Sequence, residues 1–451
     1  MRRVGTRNAF MSTVHTWDGL NSVMAMRLEK LDAVAAVKLL EAGEVTAEHL
    51  LASLLERIDE REPVVGAWEH VEREGALRAA RAFDRSGRRG PLFGLPIGVK
   101  DIIDTADQPT TYGSPIYAGY RPGIDASCVA ALRAAGGIIL GKTVTAEFAH
   151  RAPGKTRNPI DPQRTPGGSS SGSAAAVADY MVPLALGTQT TASVIRPASY
   201  CGVVGYRPSY GLMSCAGIKP SSPSFDTVGL FARSVADIAL LRDALQGRPV
   251  QLPGGELGNL PRLGFCRKPF WDKVMPAAAA AFERVVEHLA AKGAVIGDVA
   301  LPPDIAGLTK AHRIVASYEL AGSLGAERVG HLDGLSSLLR EGKMAEGLAY
   351  TPAQYFSAIA ELEVARANAA ALFGDWDIIL SPSTSGIAEV GLQSTGPSEF
   401  SSIWTALHGP CLTLPLPERI DGMPIGIQLV ARRGDDARLA EIAAWIERRL
   451  S

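Results

Sequence analysis

From Leu28 to Glu62 the chain reads LEKLDAVAAVKLLEAGEVTAEHLLASLLERIDERE, with apolar residues recurring every three or four positions. That spacing predicts a helical N-terminal arm, interrupted at Gly43 and restarted by Thr46 as the cap of a second helix. From Gly94 to about Gly229 the texture changes to short apolar runs set among glycines and other small residues. There Ser127 is placed to cap SCVAALRAAG, Gly136 to end it, and GIIL to follow as a buried strand. Further on, Pro276 opens PAAAAAFERVVEHLAAKG, Gly293 closes it, and AVIGDVAL reads as a strand. DWDIILSP and GMPIGIQLVAR are returning strands, and DDARLAEIAAWIERRL is an amphipathic terminal helix. Helices alternating with short apolar strands predict an α/β fold around a mixed or parallel sheet.

The organisation expected from this pattern is an N-terminal extension over residues 1–26 followed by a single domain over 27–451. Within that domain the segment from Ile305 to about Ser398 is helical and loop-rich, and its Tyr318, Tyr350, Tyr355 and Phe356 are placed to cover a site.

Composition narrows the function. Lys+Arg 46 against Asp+Glu 47 gives a formal charge of −1, so nothing in the bulk electrostatics calls for nucleic acid or an anionic membrane. The basic run from Arg85 to Arg89 is short and reads as solvated loop. Five cysteines, Cys128, Cys201, Cys215, Cys266 and Cys411, are odd in number and without a CxxC pair, which argues against a disulfide framework and a zinc site. The expectation is a cytoplasmic protein with no metal, no nucleic acid and no membrane segment.

Three patterns compete for the chemistry. Gly136 to Thr143 matches G-x-x-x-x-G-K-T, but a phosphate loop follows a strand and opens a helix, whereas here a helix comes first and Ile138, Ile139 and Leu140 require burial. Gly168 to Gly172 matches G-x-S-x-G with Ser170 as nucleophile, yet the elbow lacks its preceding apolar strand. The third pattern combines Ser169, Ser193 and Lys100, a nucleophile, a relay and a base without histidine. A lysine acts as a base only when neutral, which requires its pKa to fall by about three units, or about 4 kcal/mol. Leu95, Ile97, Val99, Ile102 and Ile103 flank Lys100 and offer the burial that would do this. The competing reading is a strand-end lysine that reaches water or pairs with Asp101.

Taken together, PLFGLPIGVKDIID, LRAAGGIILGKT, TRNPIDPQRTPGGSSSGSAAAVA, PLALGTQTTASVIRPASYCGVVGYRPSYG, FDTVGLFARSVADIALL and GMPIGIQLV resemble the amidase signature family, from about Leu92 to the C-terminus. The resemblance implies a fold with a central mixed β-sheet surrounded by α-helices and hydrolysis of an amide C–N bond without a cofactor. Carried over by motif, it makes Ser193 the nucleophile, Ser169 the relay across a cis Gly168–Ser169 peptide, Lys100 the base and Ser170 a supporting residue. Backbone N–H groups of Thr190, Thr191, Ala192 and Ser193 would hold the oxyanion. Thr191 and Ala192 stand where the family usually has glycines, so a positive φ there would count against the reading. The SVIRP form and Gln189 resemble a malonamidase-like subgroup, which makes Arg196 and Gln189 candidates for substrate binding. A urethanase, aryl-acylamidase or esterase would use the same residues on a carbamate, aryl amide or ester. A glutaminase component resembling that of the tRNA-dependent amidotransferase, and a non-catalytic binding homologue, also remain open. The partner expected is a small-molecule amide or carbamate, and a homodimer is common among similar enzymes.

Overall fold

The computed structural model describes residues 26–86, 90–254 and 256–451. The expected N-terminal extension falls almost wholly outside these residues, as does part of the basic run ending at Arg89.

Eleven strands form one mixed sheet. In chain order they are β1 (Trp68–Val71), β2 (Pro96–Lys100), β3 (Ile138–Thr143), β4 (Leu184–Gln189), β5 (Val204–Arg207), β6 (Thr227–Ala232), β7 (Arg262–Phe265), β8 (Val295–Asp298), β9 (Ile378–Pro382), β10 (Cys411–Ile420) and β11 (Met423–Val430). Across the sheet the order is β1-β3-β2-β4-β6-β5-β10-β11-β9-β7-β8. Parallel pairing joins β2 to β3 and to β4, and β7 to β8 and to β9. The hairpin β10–β11 bridges the two parallel regions by antiparallel pairing, β10 against β5 and β11 against β9.

Every residue of β2, β3, β4 and β6 is buried, because helices cover both faces of the sheet. The helical arm forms as its spacing predicts: Gly43 ends the helix Ala33–Ala42 in the left-handed conformation, and the Thr46 side chain accepts from His49 N–H at 3.1 Å to start Ala47–Val65. Gly136 at φ 86° lets the chain leave Ser127–Ala134 for β3, and the strands expected around DWDIILSP and GMPIGIQLVAR are β9 and β11.

One local expectation is corrected. Ser127 is the first helical residue and Ala126 the cap, because Ser127 N–H is taken by Ala216 O at 3.0 Å and the turn starts one residue earlier. The rejection of a phosphate loop at Gly136–Thr143 agrees with the structure: Gly141, Lys142 and Thr143 lie within β3, and Lys142 is fully buried, bonded to Ile103 O and Thr110 Oγ1 at 2.6 Å and paired with Asp101 at 3.3 Å.

Candidate active site

Adjacent strand ends assemble the site. Lys100 is the last residue of β2, while the chain leaving neighbouring β4 at Gln189 turns through Thr190 to Val194 into the helix Ile195–Cys201. Ser169 and Ser170 immediately precede the helix Ser171–Ala178, which packs against β4 and against Ile195–Cys201. Residues far apart in sequence thus meet at one edge of the sheet core.

Lys100 is fully buried, and its Nζ lies 2.7 Å from Ser169 Oγ and 2.9 Å from Thr188 Oγ1. Burial drives its pKa well below the usual lysine value, opposed only by the charge of Asp226. The competing reading of an ion pair with Asp101 fails, since Asp101 turns to Thr111 and Lys142. With the amine neutral, its lone pair can accept the Ser169 hydroxyl proton while an N–H donates to Thr188. The Gly168–Ser169 peptide is cis, as the resemblance implies.

Ser193 lines a cavity of about 670 Å³, and no group among the described residues hydrogen-bonds its hydroxyl. Around it the backbone is sorted by polarity. The carbonyls of four successive residues are each held: Thr190 O by His312 Nε2 at 3.0 Å, Thr191 O by Thr405 Oγ1 at 2.8 Å, Ala192 O by Arg196 N–H at 3.0 Å and Ser193 O by Ser170 N–H at 3.4 Å. None of the N–H groups of Thr190, Thr191, Ala192 and Ser193 has an acceptor among the described residues, and all four residues line the cavity. Donors fixed in this way and left free are what a developing oxyanion needs. Neither Thr191 nor Ala192 takes a positive φ, so the side chains that replace glycine there impose no backbone strain.

Ser170 sits where a supporting residue would, whereas Gln189 and Arg196 have different neighbours from those anticipated. Ser170 is fully buried and brackets Thr188, accepting from its N–H at 3.3 Å and donating to its carbonyl at 3.2 Å, so it cannot serve as an exposed elbow nucleophile. Gln189, a substrate-binding candidate, is fully buried away from the cavity. Its Oε1 accepts from Val194 and Ile195 N–H at 2.9 and 3.1 Å, satisfying the start of the helix after the nucleophile, and its Nε2 donates to Thr405. Arg196 reaches the cavity wall, but its guanidinium is spent on backbone carbonyls, Gly168 O at 2.6 and 3.2 Å and Gly396 O at 2.5 Å. Burial lowers its pKa to about 10, which leaves it cationic. It therefore clamps the carbonyl of the cis peptide in place of the expected carboxylate or ion-pair partner.

Sequence reasoning missed Asp226, His312 and Thr405. Asp226 accepts from Thr190 Oγ1 at 2.6 Å and from the N–H groups of Ser221 and Ser222, and burial raises its pKa to about 6. His312 stacks on Phe225 with ring centroids 4.2 Å apart, and burial lowers its pKa to about 3, so it is neutral with the proton on Nε2 facing Thr190 O. Asp226 lies in FDTVGLFARSVADIALL, which gives no cue to its role, His312 lies in no recognisable motif, and only the fold brings them to the turn. The aromatic residues expected to cover the site pack elsewhere: Tyr318 and Tyr355 stack on each other at 4.4 Å, and Phe356 is exposed. The cavity wall from this segment consists instead of polar residues, among them Thr309, His312, Lys343 and Glu346.

A mixed sheet enclosed by helices, with a free serine beside unpaired N–H groups, is an arrangement suited to acyl transfer. The chain belongs to the amidase family, whose profile, described as Amidase, matches residues 49–440. It is 33% identical to a component of the glutamyl-tRNA(Gln) amidotransferase of Chloroflexus aggregans, its A chain, over 93% of the present protein and 96% of that relative. Among solved structures, an amidase superposes with a TM-score of 0.85 at 32% identity, over 93% of this chain and 100% of that one. The native peptide amidase of Stenotrophomonas maltophilia superposes with a TM-score of 0.81 at 31% identity, over 93% and 97%. No helix among the described residues is long and apolar enough to cross a membrane.

Proposed function

We propose that the protein hydrolyses the C–N bond of a small-molecule carboxamide with Ser193 as nucleophile, Ser169 as relay and Lys100 as base. The observation that carries this reading is the wholly buried Lys100 amine, without an ion pair among the described residues, 2.7 Å from Ser169 Oγ. Neutral Lys100 takes the proton of Ser169, Ser169 takes that of Ser193, and Ser193 Oγ bonds to the substrate carbonyl carbon. The carbonyl oxygen becomes an oxyanion held by the free N–H groups from Thr190 to Ser193. Collapse of the tetrahedral centre breaks the C–N bond, and the proton returns through Ser169 to the leaving nitrogen. Water, deprotonated by the same relay, then cleaves the acyl ester and regenerates Ser193. Carbamates, aryl amides and esters fit the same steps, and the malonamidase-like subgroup remains part of this proposal.

The test is hydrolysis of a panel of aliphatic amide, aryl amide, aryl carbamate, malonamate and glutamine between about pH 6 and pH 10. Turnover should rise with pH as Lys100 loses its proton, and Ser193→Ala and Lys100→Met should each lower it about 10³-fold or more while the circular dichroism is unchanged. Residual activity near wild type in Ser193→Ala would reject the assignment.

A second reading, the glutaminase component of an amidotransferase, is favoured by the curated relatives, and it predicts strong glutaminase activity only with partner proteins added. A non-catalytic homologue predicts no turnover on any member and no labelling of Ser193 by a serine-directed phosphonate.

A further inference from the structure

The charges around the cavity do not balance locally. Of the acids in its wall, Glu346 accepts from Arg313 at 2.6 Å, Glu341 from Arg340 at 2.8 Å, and Glu399 from Lys273 at 3.2 Å. Arg196 is held by carbonyls, as described above. Two cations, Lys343 and Arg151, line the same cavity with no ion pair within 4 Å and no hydrogen bond among the described residues. Arg151 is exposed at the rim, whereas Lys343 is half-buried in the wall, next to a helical break at Gly342 (φ −93°, ψ −111°).

The placement of Lys343 is fixed by what feels its charge. It acts electrostatically on Asp226, His150 and His312, which come from three separate segments bordering the nucleophile turn. Asp226, the acid whose charge favours the Lys343 ammonium most, is already bound to Thr190 Oγ1 and two backbone N–H groups. Burial lowers the Lys343 ammonium to about 8, so it is still mostly charged at neutral pH. A partly desolvated cation without a counter-ion is unfavourable until one arrives. A single ammonium, supported by one arginine at the rim, matches a monoanion, whereas a phosphate dianion calls for more donors.

We propose that Lys343, with Arg151 at the rim, receives a carboxylate of the substrate, so that the protein acts on amides whose acyl chain ends in a carboxylate. This rests on amide hydrolysis at Ser193, and it moves anion recognition from Arg196, beside the nucleophile in sequence, to Lys343 in the same cavity.

The experiment compares kcat/KM for succinamate, glutaramate and adipamate with that for butyramide, valeramide and hexanamide, their uncharged counterparts. Wild type should favour at least one carboxylated amide by about tenfold or more, chiefly through KM. Lys343→Met should bring the ratio near one, Lys343→Arg should restore part of it, and Lys343→Glu should shift preference toward ω-amino amides. An equal or higher rate on the uncharged amides in wild type, or a preference that survives Lys343→Met, overturns the proposal while leaving amide hydrolysis in place. Calorimetric binding of glutaramate to Ser193→Ala supplies the separate arm. Binding that depends on Lys343, with no amide turned over by wild type, sinks the hydrolytic reading and keeps the carboxylate site; no binding and no turnover sinks the carboxylate site too.

Discussion

Asp226 is the acid whose charge reaches Lys100, and it holds Thr190 as well, so one carboxylate acts on the base through space and on the oxyanion turn by contact. Its negative charge favours the lysine ammonium, the form that cannot act as a base. Asp226→Asn removes that charge and should lower the Lys100 pKa, moving the acid limb of the kcat/KM profile to lower pH; an unmoved limb would show that Asp226 acts only through Thr190. The meeting of Lys100 with Ser169, and the place of Ser193 at the cavity, were foreseeable because each residue sits in a contiguous motif. Gln189 and Arg196 were misjudged for a physical reason. Polar side chains beside a nucleophile can serve either substrate or the irregular backbone around it, and sequence does not show which carbonyls and N–H groups need partners. Lys343 and His312 had no such local cue, and Asp226, although inside FDTVGLFARSVADIALL, had none to its partners, since their relevance comes from contacts across more than thirty residues of chain.

At the scale of elements, punctuation was readable: Gly43, Thr46, Gly136, Pro276 and Gly293 all stand at real boundaries. Strands β4 and β6 were not singled out as strands because both faces are buried, which erases the two-residue alternation that marks a half-exposed strand. Helix contacts in the cavity wall were equally invisible. Gly347, in the short helix Ala345–Ala349, lies so close to Leu308–Ser323 that a Cβ there would meet Ser317 O at 1.9 Å. Gly347→Ala must push apart the elements that carry Lys343 and His312, at a cost of about 1–3 kcal/mol. The expected outcome is a lower melting temperature together with a raised KM, read by thermal denaturation and steady-state kinetics.

For the whole molecule, the helical arm joins the core at a cluster of buried acids. Asp237 Oδ1 accepts from Val34 N–H at 2.8 Å at the start of the helix Ala33–Ala42, and Glu447 of the terminal helix accepts from Val235 N–H at 3.0 Å. Burial raises Asp237 to about 6 and Glu447 to about 7. Between their unfolded values near 4 and these folded values, the native state binds protons that the unfolded chain does not. Their contribution to stability is therefore fully present below about pH 4 and is lost as pH rises through 6 and 7. Melting temperature should fall by about 2 °C or more from pH 5.5 to pH 7.5, and Asp237→Asn with Glu447→Gln should flatten that slope. The mixed sheet was foreseeable from the alternation of elements, but not its order, because register between distant strands leaves no local trace. That order bears on how the chain is made. The hairpin formed by residues 411–430 lies at the middle of the sheet, with the strand carrying Lys100 on one side and β9, β7 and β8 on the other. On the ribosome, Lys100, both serines and Lys343 all emerge before this seam, and the wall bearing Lys343 is tied to the earlier segments directly, Ser336 N–H to Glu147 and His312 to Thr190 O. What waits for the hairpin is the sheet itself: β5 and β9 each lack a neighbour on one side until residues 411–430 are translated and join the two parallel regions.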